Sequence, residues 1–133
     1  MTDPKILAVQ EMYEAFGKGD VDAILAKLTD DVDWGSVTDS EIAPWHGATK
    51  GKQNVPRFFE ALAKTSDITE FTPLAFAAND TDVMAVIRFE STIRANGRSG
   101  VTQLHHWWRF RGDKVYYFRG TEDTAQVAAM LGA

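Results

Sequence analysis

The sequence predicts an α+β domain in which N-terminal helices pack on one face of a strongly curved, mainly antiparallel sheet and enclose a pocket. Three observations predict it. The first half carries apolar residues at helical spacing between capping and breaking residues, and the second half carries four runs of aromatic and β-branched residues separated by turn sequences. The chain of 133 residues also has the length of one core, and no repeat, low-complexity tract or linker divides it, so residues 1–133 read as a single domain.

Each element can be justified in order. Thr2 or Asp3 can cap a first helix with Pro4 in its first turn, and Ile6, Val9, Tyr13 and Phe16 recur along one face until "GKG" ends it. Asp20 can cap a second helix with Val21, Ile24, Leu25 and Leu28 as its stripe, followed by a polar break "TDD" and a short strand "VDWGSV". The irregular stretch "TDSEIAPWHGATKGKQN" suits a loop over a pocket mouth. A third helix carries Val55, Phe58, Phe59 and Leu62, with Pro56 in its first turn. After "KTSD" the period changes to that of strands, over 68–78, 82–94, 101–111 and 114–121, with "ANDTD", "ANGRSG" and "RGDK" as turns. "TEDTAQVAAMLGA" closes the chain as a short helix capped by Thr121 or Asp123.

Composition narrows the function. A formal net charge of -5 offers no basic field for phosphates, which argues against nucleic acid. There is no cysteine, hence no disulfide, thiol nucleophile or cysteine-ligated metal. No signal-like N-terminus or run of eighteen apolar residues occurs, so the expectation is a cytoplasmic protein with no membrane partner. No metal motif, phosphate loop or Gly-x-Ser-x-Gly elbow is present; no cofactor is expected, and cofactor-free acid/base work remains for an enzyme.

In a strand, "LHHWWRF" splits by parity. Thr102, Leu104, His106, Trp108 and Phe110 share one face, and Val101, Gln103, His105, Trp107, Arg109 and Arg111 the other. The even set reads as pocket or core, the odd set as a polar-aromatic outer surface. His105 and His106 therefore cannot hold one metal ion between them.

The stretches "MYEAFGKGDVDAILAKLTDDVDW", "PWHGATKGKQNVPRFFEAL" and "HHWWRFRGDKVYYFRGTEDTAQV" together resemble the SnoaL-like polyketide cyclases and ketosteroid isomerase-like proteins of the nuclear transport factor 2-like superfamily. The resemblance implies a cone-shaped fold around a mostly apolar cavity, with a convex face that often forms a homodimer. It places Trp34, Trp108, Phe118, Ala85, Ile87, Phe89 and Ser91 on the inner wall, and Trp107, Arg109, Tyr117, Arg88 and Glu90 outside. It also shows departures. The aspartate base of the ketosteroid isomerases falls on Ser36, their hydrogen-bond-donating aspartic acid on His106, and their tyrosine on Met12, with Tyr13 beside it. Those changes argue against steroid isomerisation.

The candidate catalytic residues are His106, Glu122 and Tyr13. An imidazole in an apolar pocket can accept a proton when neutral and donate when charged; the plainer alternative is a buried histidine satisfied by one tyrosine or carbonyl. Glu122 faces the same side as His106 if a bulge at Gly112-Asp113 puts Tyr116, Phe118, Gly120 and Glu122 inward, and could then orient His106 or take a proton itself; otherwise it is a solvated acid at a helix N-terminus. Trp34, Ser36, Trp45, His46, Phe89, Trp108 and Phe118 are the candidate ligand-binding residues, although Trp34 could be plain core and His46 a solvated loop residue. Two functions follow: a cofactor-independent acid/base enzyme (isomerase, cyclase, hydrolase or dehydratase type) on a small hydrophobic carbonyl or polyketide-like molecule, or a non-catalytic small-ligand-binding or dimeric interaction module. The aromatic and arginine-rich outer face suggests a homodimer.

Overall fold

The computed structural model describes residues 2–132. Helix α1 (Pro4–Gly17) starts where the Asp3 carboxylate accepts a hydrogen bond from the Lys5 N–H, and Pro4 sits at its first position, where no backbone donor is needed. Helix α2 (Val21–Leu25) is capped by Asp20. Strand β1 (Leu28–Ser36) follows, then β2 (Ala48–Lys50), a single 3-10 turn (Lys52–Asn54) and α3 (Pro56–Thr65). Strands β3 (Ser66–Ala78), β4 (Asp82–Ile93), β5 (Ser99–Arg111) and β6 (Lys114–Thr121) lead to the closing helix α4 (Thr124–Leu131), whose cap is Asp123.

The six strands form one open sheet in the order β2-β1-β6-β5-β4-β3. All neighbours are antiparallel except β1 and β6, which run parallel. Register shifts between Ile68 and Glu70 and between Pro73 and Ala75 mark two irregularities in β3, where extra residues sharpen the local bend and twist. The core lies between the inner sheet face and the helices: Val9, Met12 and Tyr13 of α1 and Ile24 of α2 meet Val32 and Trp34 of β1, Val83, Ala85 and Ile87 of β4, Trp108 of β5 and Phe118 of β6.

Three boundaries differ from the sequence reading. Leu28 is a strand residue, not the last of the α2 stripe, and "TDD" lies inside β1. The reason is tertiary: Leu28 pairs with Val115 of β6, and the Lys27 carbonyl accepts from the Val115 N–H, so the sheet takes the residue that the 3.6-residue period would assign to the helix. The change of period falls inside "KTSD", where α3 ends at Thr65 and β3 begins at Ser66, so the strand starts before Ile68. The "RGDK" turn is the third. Arg111 pairs with Lys114 across a two-residue turn, and the extra residue sits further along, where Arg109 opposes Tyr117 and Phe110 opposes Val115. The bulge thus falls at Tyr116, not at Gly112-Asp113. Tyr116 is consequently outside, beneath Arg109 and Arg111, while Phe118 and Gly120 return to the inner side.

The outer face is laced by charge. Asp82 accepts from Trp107 Nε1 at 2.9 Å and from Arg109 Nε at 3.3 Å, Arg119 pairs with Asp33 at 2.7 Å, and the Trp107 and Tyr117 rings meet edge to face. Beside this ladder, Ala77, Met84 and Trp107 stand in register across β3, β4 and β5, and Met84 is 49% exposed.

Candidate functional site

Between the inner sheet face and helices α1, α3 and α4 lies a cavity of about 110 Å³. That is on the order of the apolar cavities that take up a benzene-sized guest. Its wall is built from aromatic and aliphatic side chains, among them Met12, Phe16, Phe58, Phe59, Leu104 and Met130. Strand alternation puts Thr102, Leu104, His106 and Trp108 of β5 on this side together with Phe89 and Ser91 of β4.

One end of the cavity is organised by Tyr13, buried in α1. The indole Nε1 of Trp108 donates to the Tyr13 hydroxyl at 3.1 Å, and that hydroxyl lies 2.7 Å from Nδ1 of His106. Phe71, Phe118 and Trp108 surround the imidazole with ring centroids 6.4, 5.0 and 6.0 Å away. His106 keeps some accessible surface on the cavity wall, and these rings stand where much of its hydration would otherwise be. Loss of hydration, with His105 adding like-charge repulsion, pushes its pKa from 6.5 down to about 3. Burial likewise drives the Tyr13 phenol above its ordinary value, so it stays protonated. Gly120 faces His106 across the β5–β6 pair; a Cβ there would stand 3.4 Å from His106 Cδ2, so glycine leaves room at the ring edge.

The other polar group is Glu122, at the end of β6. One carboxylate oxygen accepts from Trp45 Nε1 at 3.1 Å and lies 2.5 Å from His46 Nε2, whose Nδ1 is 2.9 Å from Ser40 Oγ. The His46 side chain is fully buried and that of Glu122 is 13% exposed. Glu122 and Trp45 line the cavity, whereas His46 stands behind the carboxylate. His46 is therefore neither a cavity-lining ligand-binding residue nor a solvated one, and Glu122, which could have oriented His106 or taken a proton itself, has His46 and Trp45 as its hydrogen-bond partners. His106 is oriented by Tyr13 instead.

Ser36, Trp34 and Phe118 line the same cavity. Ser36 Oγ donates to the Trp45 carbonyl at 3.3 Å, which ties the loop over 37–47 to β1. Trp34 stacks on Phe118 at 4.3 Å and is buried, and its indole Nε1 has no hydrogen-bond partner among the described residues. Sequence reasoning missed Ser40, which carries no local signal, and the contribution of α4, where Gln126, Val127 and Met130 close one side. The alternation of Gln126, Val127 and Met130 with alanines could have been read as a lid face, but not which element it covers. Among the described residues no three His, Asp or Glu side chains cluster closely enough to hold a metal ion, and no helix is long and apolar enough to cross a membrane.

The model of the SnoaL-like domain matches residues 9–118. The chain belongs to the SnoaL-like family. Solved structures agree with this SnoaL-like domain over nearly its whole length. An NTF2-like protein of unknown function from Burkholderia pseudomallei K96243 is 26% identical, with 99% of this chain and 100% of that chain covered and a TM-score of 0.89. TerC, co-crystallized with polyporic acid, shares 19% identity over 98% of this chain and 100% of its own, with a TM-score of 0.87. A candidate polyketide cyclase from Xanthomonas campestris pv. campestris shares 20% over 96% of each chain, with a TM-score of 0.78. The last two likenesses concern the fold. No curated protein matches the SnoaL-like chain.

Proposed function

We propose that this SnoaL-like protein binds a small, largely apolar molecule bearing a carbonyl or related oxygen function, and performs cofactor-independent acid/base chemistry on it of the isomerase, cyclase, hydrolase or dehydratase type. One observation carries the reading: a single apolar cavity is lined by His106 among aromatic rings and by Glu122 among hydrogen-bond donors, two proton-carrying groups in contrasting surroundings. Such pairs are how one site holds a proton donor and a proton acceptor at once. The family likeness to polyketide cyclases and isomerases supports it as analogy.

A non-catalytic ligand-binding protein is the second reading, favoured by Ser36. It stands where the resemblance would place a carboxylate base, and its hydroxyl is engaged with the Trp45 carbonyl. One experiment separates the two. Binding of 2-indanone and of polyporic acid is followed by tryptophan fluorescence, since Trp34, Trp45 and Trp108 line the cavity, and exchange of the indanone α-protons in D2O is followed by NMR. Saturable binding with exchange above buffer, lost in Glu122→Gln, supports the enzyme. Binding without exchange supports the second reading, and a cavity that takes up neither molecule nor any other small apolar carbonyl sinks both.

The outer face supports a further part of the proposal, a homodimer. Exposed Met84 beside Ala77 and Trp107, with paired charges around them, forms an apolar centre with a polar rim, the composition of a self-complementary interface.

A further inference from the structure

The hydrogen bonds around Tyr13 have a direction, and that direction reaches the cavity. An indole nitrogen can only donate, so Trp108 Nε1 uses one acceptor position of the Tyr13 oxygen. The hydroxyl has one proton, and His106 Nδ1 is its remaining partner among the described residues. If Nδ1 carried a proton, the Tyr13 oxygen would receive two donors and its own proton would be buried unpaired, at the cost of an unmade hydrogen bond. The satisfied arrangement runs Trp108 N–H to Tyr13 oxygen, then Tyr13 O–H to His106 Nδ1. The imidazole is neutral, as its surroundings require. Its single proton therefore sits on Nε2, the nitrogen on the side of Gly120.

We infer that His106 is locked by Tyr13 and Trp108 as a permanent Nε2–H donor into the cavity, so that this end of the site recognises a hydrogen-bond acceptor, a carbonyl oxygen or the oxyanion formed from it, and rejects donor-only ligands. The inference deepens the proposed function and rests on it for the ligand, though not for the tautomer. Phe118, stacked on Trp34 at 4.3 Å, packs against the His106 ring at 5.0 Å. An N–H group without an acceptor in an apolar wall is complementary to an oxygen lone pair, and such a fixed donor favours negative charge developing on that oxygen. A histidine held this way is not the base of the site. The carboxylate of Glu122 is the one proton acceptor among the titratable groups lining the cavity. Tyr13 is then a positioning residue, acting through His106.

The test is 15N NMR of histidine-labelled protein together with a pair of benzene-sized probes, benzaldehyde as an acceptor-only ligand and indole as a donor-only one. In the wild type, His106 is expected to show a protonated Nε2 and an unprotonated, pyridine-like Nδ1, unchanged from pH 8 to pH 5. Tyr13→Phe removes the donor to Nδ1 and is expected to give a mixture of tautomers. Benzaldehyde should bind the wild type at least about tenfold more tightly than indole, and Tyr13→Phe should narrow that ratio. A proton on Nδ1, a ring that titrates in this range, or preference for indole overturns the inference. Failure of both probes to bind, with Nε2 protonated as expected, overturns the acceptor specificity and the small-molecule reading, while the tautomer lock stands on the NMR result alone.

Discussion

The imidazole of His46 lies 2.5 Å from a carboxylate oxygen of Glu122, a residue seventy-six positions later in the chain. The contact joins the loop over 37–47 to the end of β6, and the same oxygen accepts from Trp45. Because the His46 side chain is fully buried, its removal leaves Glu122 short of a partner in a mostly dry place. His46→Ala is therefore expected to cost about 1–3 kcal/mol in a denaturant titration. Hydrogen exchange should rise first in residues 37–47; a loss of stability with that loop unchanged would contradict a latch.

A pH dependence follows from His106. Above about pH 6.5 the group is neutral folded and unfolded and does not affect the balance; as pH falls from 6.5 toward 3 the unfolded chain takes up a proton that the folded state refuses. Stability contributed by keeping His106 neutral is thus present above 6.5 and lost on acidification. The denaturation midpoint of the wild type should fall more between pH 7 and pH 4.5 than that of His106→Gln, measured under matched salt. Equal slopes would mean that His106 is solvated.

Gly35 predicts a purely structural effect. A Cβ at this position would run into the Gly47 carbonyl oxygen and the Ala48 backbone, because β2 approaches β1 closely there. Neither is a flexible side chain that can move away. Gly35→Ala should destabilise by about 1–3 kcal/mol, as overpacking does, whereas Gly120→Ala meets only van der Waals contacts of 3.4 Å or more and should fold normally while narrowing the space beside His106. Thermal melting of the two variants side by side checks the contrast.

The dimer proposal makes its own prediction. Met84 has no hydrogen-bonding or charge role and is half exposed in the single chain. Met84→Glu should leave the melting behaviour of the monomer unchanged but shift sedimentation toward the monomer at micromolar concentration. A wild type that sediments as a monomer throughout would remove the proposal.

Much of this was legible in the sequence because it depends on local chemistry. Asp3, Asp20 and Asp123 act as the caps their side chains suit, Pro4 and Pro56 stand at helix starts, and the parity of a strand puts His106 and Trp108 on the cavity side and Trp107 and Arg109 outside. Period and capping act over a few residues, so no fold is needed to read them.

Pairing partners decided the rest. Whether Leu28 ends a helix or starts a strand depended on Val115, eighty-odd residues away, offering a parallel neighbour. The inward turn of Phe118 and Gly120 depended on a bulge at Tyr116 that turn composition misplaced by three residues, because a ladder can absorb one extra residue wherever outer-face packing, here Arg109 and Arg111 over the ring, favours it. His106 meeting Tyr13, and Glu122 meeting His46 and Trp45, are contacts across 93, 76 and 77 positions. Sequence by itself determined which side chains could carry a proton and toward which face they point; only the closing of α1 and the loop over 37–47 onto the sheet determined which of them touch, and therefore which way each hydrogen bond runs.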